Sequence, residues 1–143
     1  MAVFMGRFTH TLDPKNRLFV PSRFRPQLGE AFVLFKPLNG DKCLFAYTTA
    51  DWQELSEIMN QQPGGKELTV RQRYTYINTD MVEIDKQGRI TVSNEFCAFA
   101  GLEKDVVFFG AGRRIEIWNL AAWEAMLAEK DMEDNGQEIN LPF

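Results

Sequence analysis

The hydrophobic and polar residues of this 143-residue chain follow short strand-like and helix-like patterns. Alternating or continuous apolar runs predict strands, and apolar residues three or four positions apart predict helices. In the first half these patterns predict strands at 3–12, 18–20, 31–36 and 43–47, and helices at 21–28 and 49–60. In the second half they predict strands at 81–85, 89–92, 105–110 and 114–118, and helices at 93–100 and 120–129. The two halves therefore have the same order of elements.

The segment between the halves has a less certain pattern. Gln-Gln-Pro-Gly-Gly at 61–65 is a loop signal. In 66–78, Leu68, Arg71 and Tyr74 have helical spacing, although Tyr74 and Tyr76 would equally suit a strand. We favour a helix and leave the strand open.

A strand–turn–strand segment of eleven residues occurs twice, at 11–21 and 83–93. Asp13 and Asp85 begin the turns, and each aspartate is expected to cap its own turn through a side-chain oxygen. Asn16 and Gly88 occupy the position where a type I turn closed by a bulge needs a positive φ. Arg17, like Arg89 in the second copy, begins the return strand, and turn geometry does not require an arginine there.

The repeat extends beyond the turns and indicates an internal duplication. At a shift of 72 residues, five pairs are identical: Asp13/Asp85, Arg17/Arg89, Val20/Val92, Phe24/Phe96 and Gly29/Gly101. Each half alone is too small to bury a sheet. We therefore expect one α+β unit with pseudo-two-fold symmetry, in which the halves interleave their hairpins around a small mixed β-barrel.

Charge is unevenly distributed along the chain, whose net charge is −4. Residues 1–30 contain five basic and two acidic residues, a net charge of +3, whereas 116–143 contain one lysine and seven acids, a net charge of −6. The basic head is compatible with a nucleic-acid partner, which the average charge alone would argue against. From residue 130 onward no apolar period is present, and we expect an acidic, disordered tail.

The residues with reactive side chains argue against an enzyme, a metal protein or a membrane protein. The one histidine, His10, lies in a predicted strand without a nucleophile motif nearby, and Cys43 and Cys97 lack metal-ligand spacing. We find no phosphate-loop or zinc-hydrolase motif. No apolar run has the roughly 18–20 residues of a membrane span, and the first residues lack signal-peptide features. We expect a cytoplasmic protein with no cofactor, no metal and no small-molecule substrate.

These motifs together resemble those of the MraZ family. The resemblance is carried by Leu-Asp-Pro-Lys-Asn-Arg at 12–17, Val-Pro-Ser-Arg-Phe-Arg at 20–25, Glu-Ile-Asp-Lys-Gln-Gly-Arg-Ile at 83–90, Ala-Gly-Leu-Glu-Lys at 100–104 and Arg-Ile-Glu-Ile-Trp at 114–118. It implies two AbrB-like domains at 3–62 and 79–129, with a linker segment at 63–78 and the tail at 130–143. It also implies an internally duplicated swapped-hairpin (double-split βαβ) β-barrel with peripheral helices.

The resemblance further implies a function. MraZ proteins form ring-shaped homo-oligomers that bind short tandem repeats in promoter DNA and control the cell-division and cell-wall gene cluster, so a nucleoid-associated location follows. The family's DNA-contacting arginine corresponds to Arg17, and Lys15 matches a basic position of the first turn, where the second copy has Gln87.

From the residues themselves, a hairpin tip with Lys15, Asn16 and Arg17 suits a major groove, where arginine reads guanine. Arg7, Arg23 and Arg25 suit phosphate contacts, which position a protein without specifying sequence. The alternative is that Arg17 only pairs with Asp13 across the turn. For the second turn we expect a structural role for Asp85, Gly88 and Arg89, and the same role for Asp13 in the first turn.

A second functional class remains open at this point. The chain could be an oligomeric protein-interaction or assembly module without DNA readout, since its net acidity and many aromatic residues suit protein interfaces. The salt dependence of DNA binding separates the two classes, because phosphate contacts release counterions.

Overall fold

The protein is represented by a computed structural model that describes residues 2–133 and Pro142. Within 2–133, eight strands and five helices follow one another along the chain. Their order is β1 Arg7–Thr11, β2 Arg17–Phe19, α1 Arg25–Leu28, β3 Ala31–Phe35, β4 Leu44–Thr48, α2 Thr49–Gln61, α3 Gly65–Ile77, β5 Thr79–Glu83, β6 Arg89–Thr91, α4 Asn94–Ala100, β7 Asp105–Gly110, β8 Ile115–Asn119 and α5 Leu120–Glu133. The predicted order of elements is confirmed, and the ambiguous segment is the helix α3.

The strands form two antiparallel sheets that join the two halves of the chain. The larger has the order β1-β7-β8-β4-β3-β5, and the smaller pairs β2 with β6. Strand β1 of the first half therefore pairs with β7 of the second, and β5 of the second half pairs with β3 of the first. The α+β class is confirmed, and the halves interleave.

A closed barrel is not present among the described residues. In the larger sheet β1 and β5 are the two edges, and no hydrogen-bonded pairing connects them. The β2–β6 pair, which we call the ribbon, is a separate sheet rather than a bridge that closes the first. The barrel that we expected from the resemblance is thus an open sheet with a ribbon packed beside it.

Two predicted elements are shorter than their patterns indicated. Residues 21–24 form a turn, closed by the N–H of Phe24 donating to the carbonyl of Pro21 at 2.9 Å, so α1 begins only at Arg25. Strand β1 begins at Arg7 because Gly6 has a φ of 97°, which bends the chain out of the extended conformation. Before this bend, Phe4 makes an isolated bridge to Gly112.

The ribbon lies over the main core. Leu18 and Ile90 are opposite each other at its centre, both essentially without solvent exposure. Phe24 packs edge-on against Phe4 and Phe8, with ring centroids 5.6 and 5.3 Å apart. Since β2 and β6 come from different halves, the packing that fixes the first turn also fixes the second.

At the other end of the chain, α5 continues to Glu133, four residues into the segment for which we expected no regular structure. The absence of an apolar period does not end a helix when the residues have good helix propensity, as glutamate and lysine do. The remainder of the predicted tail, 134–141 and 143, lies outside the described residues.

Candidate nucleic-acid interface

The first turn is organised by the carboxylate of Asp13. Its Oδ1 accepts from the backbone N–H groups of Lys15 at 2.9 Å and Arg17 at 2.8 Å. Its Oδ2 accepts from Nε of Arg17 at 2.6 Å. The backbone closes through Asn16 N–H to the Asp13 carbonyl at 3.0 Å, and Asn16 has a φ of 60°. The expected turn, including the positive φ at Asn16, is present.

The second turn repeats this geometry. Oδ1 of Asp85 accepts from the N–H groups of Gln87 and Arg89, both at 2.9 Å, and Oδ2 accepts from Nε of Arg89 at 2.9 Å. Gly88 has a φ of 87° and donates its N–H to the Asp85 carbonyl at 3.0 Å. The two aspartates and two arginines thus have the same local roles in both turns.

The hydrogen bonds keep both aspartates ionised. The pKa of the Asp13 carboxyl is lowered, chiefly because the backbone N–H of Arg17 donates to it, and the Arg17 side chain and the N–H of Lys15 add to the effect. The pKa of Asp85 is lowered by the equivalent donors, first the N–H of Arg89. Each arginine is therefore held at a fixed angle by a charged partner at neutral pH.

One face of the ribbon is exposed and carries both arginines. Arg17 lies opposite Thr91, and Phe19 lies opposite Arg89, so these four side chains share the face away from Leu18 and Ile90. Phe19 is 45% exposed, and the Arg89 guanidinium carbon lies 5.9 Å from the centre of its ring. The exposed face is a short β-ribbon with an arginine at each end.

The ion pairs with Asp13 and Asp85 occupy only one side-chain nitrogen of each arginine. Asp13 and Asp85 engage the Nε groups. Within residues 2–133, no hydrogen bond is made by the Nη groups of Arg17 or Arg89. The pairing that we considered as the alternative role of Arg17 is present, and it leaves the Nη groups, with which arginine contacts guanine, without a hydrogen-bond partner among residues 2–133.

The six predicted DNA contacts do not form one cluster. Lys15 is exposed beside Arg17, and Asn16 bonds through its side-chain amide to Asn94 at the start of α4. Arg25 instead lies against the second turn, where a Cβ on Gly88 would collide with its guanidinium.

Arg7, at the start of β1, lines the same groove as Arg25. Arg23 is exposed in the turn before α1. The basic head of the sequence is thus divided between the two ends of the ribbon.

The sequence analysis missed three residues beside Arg25. Thr9, Phe19 and Ser22 line the groove that contains Arg7 and Arg25. The interleaving predicted from the duplication could have indicated that these three residues lie near the second turn. If β2 pairs with β6, the residues after β2 must reach the second turn, and Val20 does donate its N–H to the Gly88 carbonyl at 2.9 Å.

The described part of the chain has no feature of a metal site or a membrane-spanning segment. Residues 2–133 contain no group of three or more histidine, cysteine or acidic side chains arranged to hold a metal ion. Over the same residues, each helix is too short or too polar to cross a bilayer. Burial raises the pKa of the Cys43 thiol and that of the Cys97 thiol, so both thiols are protonated at neutral pH.

Comparison with known proteins places these features in context. Residues 3–69 and 76–139 match the family model described as "MraZ protein, putative antitoxin-like". The chain is 41% identical to the "Transcriptional regulator MraZ" of Lachnoclostridium phytofermentans over 143 residues, covering 99% of this chain and 100% of the relative. It is 45% identical to the protein of that name from Heliobacterium modesticaldum, over 85% of this chain and 84% of the relative, and 43% identical to that of Leuconostoc mesenteroides, over 99% of both.

Proposed function

The chain belongs to the MraZ family, and we propose that it is a DNA-binding transcriptional regulator that reads short tandem promoter repeats as a homo-oligomeric ring. The curated relatives are named transcriptional regulators rather than enzymes. The proposal has four finer parts: the protein binds tandem DNA repeats, it assembles into a ring, it controls the cell-division and cell-wall gene cluster, and it associates with the nucleoid. They follow from the family resemblance and from the surfaces described below.

The observation that carries the proposal is the exposed face of the ribbon. A two-stranded β-ribbon fits the major groove of B-DNA, where base edges can be distinguished. Arg17 is fixed by Asp13 with its Nη groups free for a base edge, and Lys15 and Asn16 stand at the tip of the same turn. Arg17 is the base reader in this proposal, whereas Arg7, Arg23 and Arg25 bind phosphates.

Helix α3 supports the oligomeric part of the proposal. It has no buried residue, and Val70, Tyr74 and Ile77 form a stripe at helical spacing that is 38, 57 and 68% exposed. An exposed apolar stripe is typical of a protein interface. A ring presents several reading heads to repeated DNA boxes, and linked sites gain about 10²–10⁴ in avidity when the geometry fits. The interleaved hairpins support the swapped-hairpin pairing of two AbrB-like domains, 3–62 and 79–129.

The proposal is tested by fluorescence anisotropy with a duplex from the region upstream of the protein's own gene and a scrambled duplex as reference. We expect tight, salt-dependent preference for the native duplex, stronger with several repeats than with one. Arg17→Ala should abolish the preference. Arg89→Ala is the matched control, because its turn is identical, and it should retain the preference. Equal affinity for the native and scrambled duplexes would contradict the proposal.

The α3 stripe also favours the second candidate, an oligomeric protein-interaction module without DNA readout. That module would assemble through the same stripe and ignore DNA. Its signature is oligomer formation together with weak, sequence-blind binding to the duplex, which the same anisotropy titration detects.

A further inference from the structure

A groove with a volume of about 580 Å³ lies between β1 and the end of the ribbon nearest the second turn. We call it the β1 groove. Its lining includes Arg7, Thr9, His10, Phe19, Ser22 and Arg25. Arg7, Thr9 and Ser22 are exposed, so a ligand can reach them from solvent. Arg25 lies close enough to His10 to help lower the pKa of its imidazole, although burial contributes more.

The charge of the β1 groove is of one sign. Among the described residues, no aspartate or glutamate lines it. The cleft on the other side of Arg25 is different, because Glu30, Glu83 and Asp85 line it. Arg25 therefore separates a cleft lined mainly by acidic groups from one whose polar side chains are basic or hydroxyl groups. In a chain with a net charge of −4, this is the side on which an anion is attracted.

The duplication supplies an internal comparison for the groove. At the shift of 72, Arg7 corresponds to Thr79 and Arg25 corresponds to Cys97. The second copy thus has no basic residue at either position, although its turn and strand geometry are the same. Basic residues that served the fold would be expected in both copies. Their presence in one copy indicates a role in binding.

Building on the DNA-binding function proposed above, we infer that the β1 groove holds the phosphate backbone of duplex DNA while the first turn reads the bases. Arg7 and Arg25 pair with phosphate oxygens, and the hydroxyls of Thr9 and Ser22 donate to the same strand. This division follows the general rule that phosphate contacts position and base contacts specify. The reading residues and the anchoring residues then lie at opposite ends of the ribbon.

The dimensions of the ribbon fit this arrangement. Its strands are three residues long, which corresponds to about 10 Å at the rise of a β-strand. The major groove of B-DNA is about 12 Å wide. A ribbon of this length can place Arg17 among the base edges while its other end meets the phosphates that border the groove.

Gly88 makes the position of Arg25 possible. An ideal Cβ at this glycine would overlap Nη1 of Arg25 and lie 2.9 Å from its guanidinium carbon. A side chain at position 88 would therefore displace the guanidinium without removing its charge. Gly101 offers a matched control, since it also has a positive φ, of 59°, but has nothing within 4 Å of its ideal Cβ.

The inference is tested by measuring the observed binding constant against salt for the native and scrambled duplexes. Each phosphate contact contributes about 0.9 to the slope of log K against log[salt]. Arg7→Gln and Arg25→Gln should each lower the slope by about that amount for every protomer that contacts the DNA, and each lost contact is roughly an eightfold loss of affinity at 0.1 M salt. Both duplexes should be affected equally. Lys42→Gln, which removes an exposed charge from the loop before β4 and outside the groove, should leave the slope unchanged.

The second arm of the test uses the two glycines. Gly88→Asn should reproduce the loss of slope seen in Arg25→Gln, and Gly101→Asn should not. Asparagine is among the residues that most readily adopt a positive φ, so it is used at both positions to keep backbone strain small. Circular dichroism and size-exclusion chromatography establish that each variant retains its fold and its oligomeric state.

The possible failures can be distinguished. If Arg17→Ala abolishes preference for the native duplex but Arg7→Gln and Arg25→Gln keep the wild-type slope, the inference about the groove is wrong and the proposed function stands. A change of oligomeric state in Arg7→Gln or Arg25→Gln would assign the groove to contacts between copies and also overturn it. If the wild-type protein does not bind duplex DNA, both proposals are wrong.

Discussion

Leu18 and Ile90 provide a direct test of whether the two halves share the ribbon. They face each other from β2 and β6, with 0 and 1% exposure, and both belong to the main core. Truncation of either to alanine removes three buried carbons. At about 0.8 kcal/mol for each carbon the transfer term is about 2.4 kcal/mol, and the cavity raises the total to about 3–4 kcal/mol. This is a large part of a typical stability of about 5–15 kcal/mol.

The informative quantity is the coupling between the two truncations. Because the removed side chains touch one another, the double variant opens one shared cavity and loses their mutual contact only once. We expect it to be less destabilised than the sum of the single variants, by about 0.5–1.5 kcal/mol. Thr91→Ala, an exposed position on the same ribbon, is the control and should change stability by less than about 0.5 kcal/mol.

Urea unfolding at a fixed protein concentration measures these changes. With a slope of about 2 kcal/mol/M, each single truncation should lower the midpoint by about 1.5–2 M. If the alanine variants do not fold, Leu18→Val and Ile90→Val give a milder cycle with the same expected sign. Strict additivity of the two truncations would show that Leu18 and Ile90 are not in contact, and the interleaved fold would then be wrong.

Three further predictions concern the turns, the groove and α3. The pKa values of Asp13 and Asp85 in the folded protein lie below their ordinary values, so the stability that the two carboxylates contribute is complete above about pH 4 and is lost as the pH falls further. The double substitution Asp13→Asn with Asp85→Asn should therefore make stability depend less on pH in this acidic range. The pKa of His10 is also lowered, so the stability that the neutral imidazole contributes is present above pH 6.5 and is lost as the pH falls below that value. In thermal melts between pH 7 and 5, His10→Gln should remove this loss of stability. Tyr74→Ser should weaken self-association in light scattering without changing the far-ultraviolet spectrum, and an unchanged assembly would exclude the α3 stripe as the interface.

The sequence was sufficient to predict the elements and the turns because these depend on local chemistry. The spacing of aspartate, asparagine or glycine, and arginine specifies a turn whose hydrogen bonds lie within five residues, and both copies have that geometry. The interleaving was also predictable, because neither half has enough apolar surface to fold alone. It was not predictable that β1 and β5 would remain as two unpaired edges of an open sheet, since strand order at a sheet edge depends on tertiary packing that no local pattern records.

The spatial arrangement of the basic residues could not be predicted from the sequence. Lys15 and Arg25 are ten residues apart in the chain, and together they suggested one basic head. The chain between them runs the length of the ribbon, so it carries Arg25 from the first turn to the second. Proximity in sequence therefore does not show that these charges are separated by the length of the ribbon, which only the pairing of β2 with β6 reveals.

This arrangement allows one duplicated motif to serve two purposes in the proposed function. The carboxylate–arginine geometry is the same in both turns, so a functional difference has to come from the remaining turn residues, Lys15 against Gln87, and from the neighbours of each turn. The first turn is bordered by Asn94 of the second half, whereas Arg25 of the first half borders the second turn. Because the halves exchange neighbours, substitutions at 25 alter the surroundings of the second turn and leave the first unchanged. Under the DNA-binding mode proposed above, a fold with the same carboxylate–arginine geometry in both turns would have a reading end and an anchoring end.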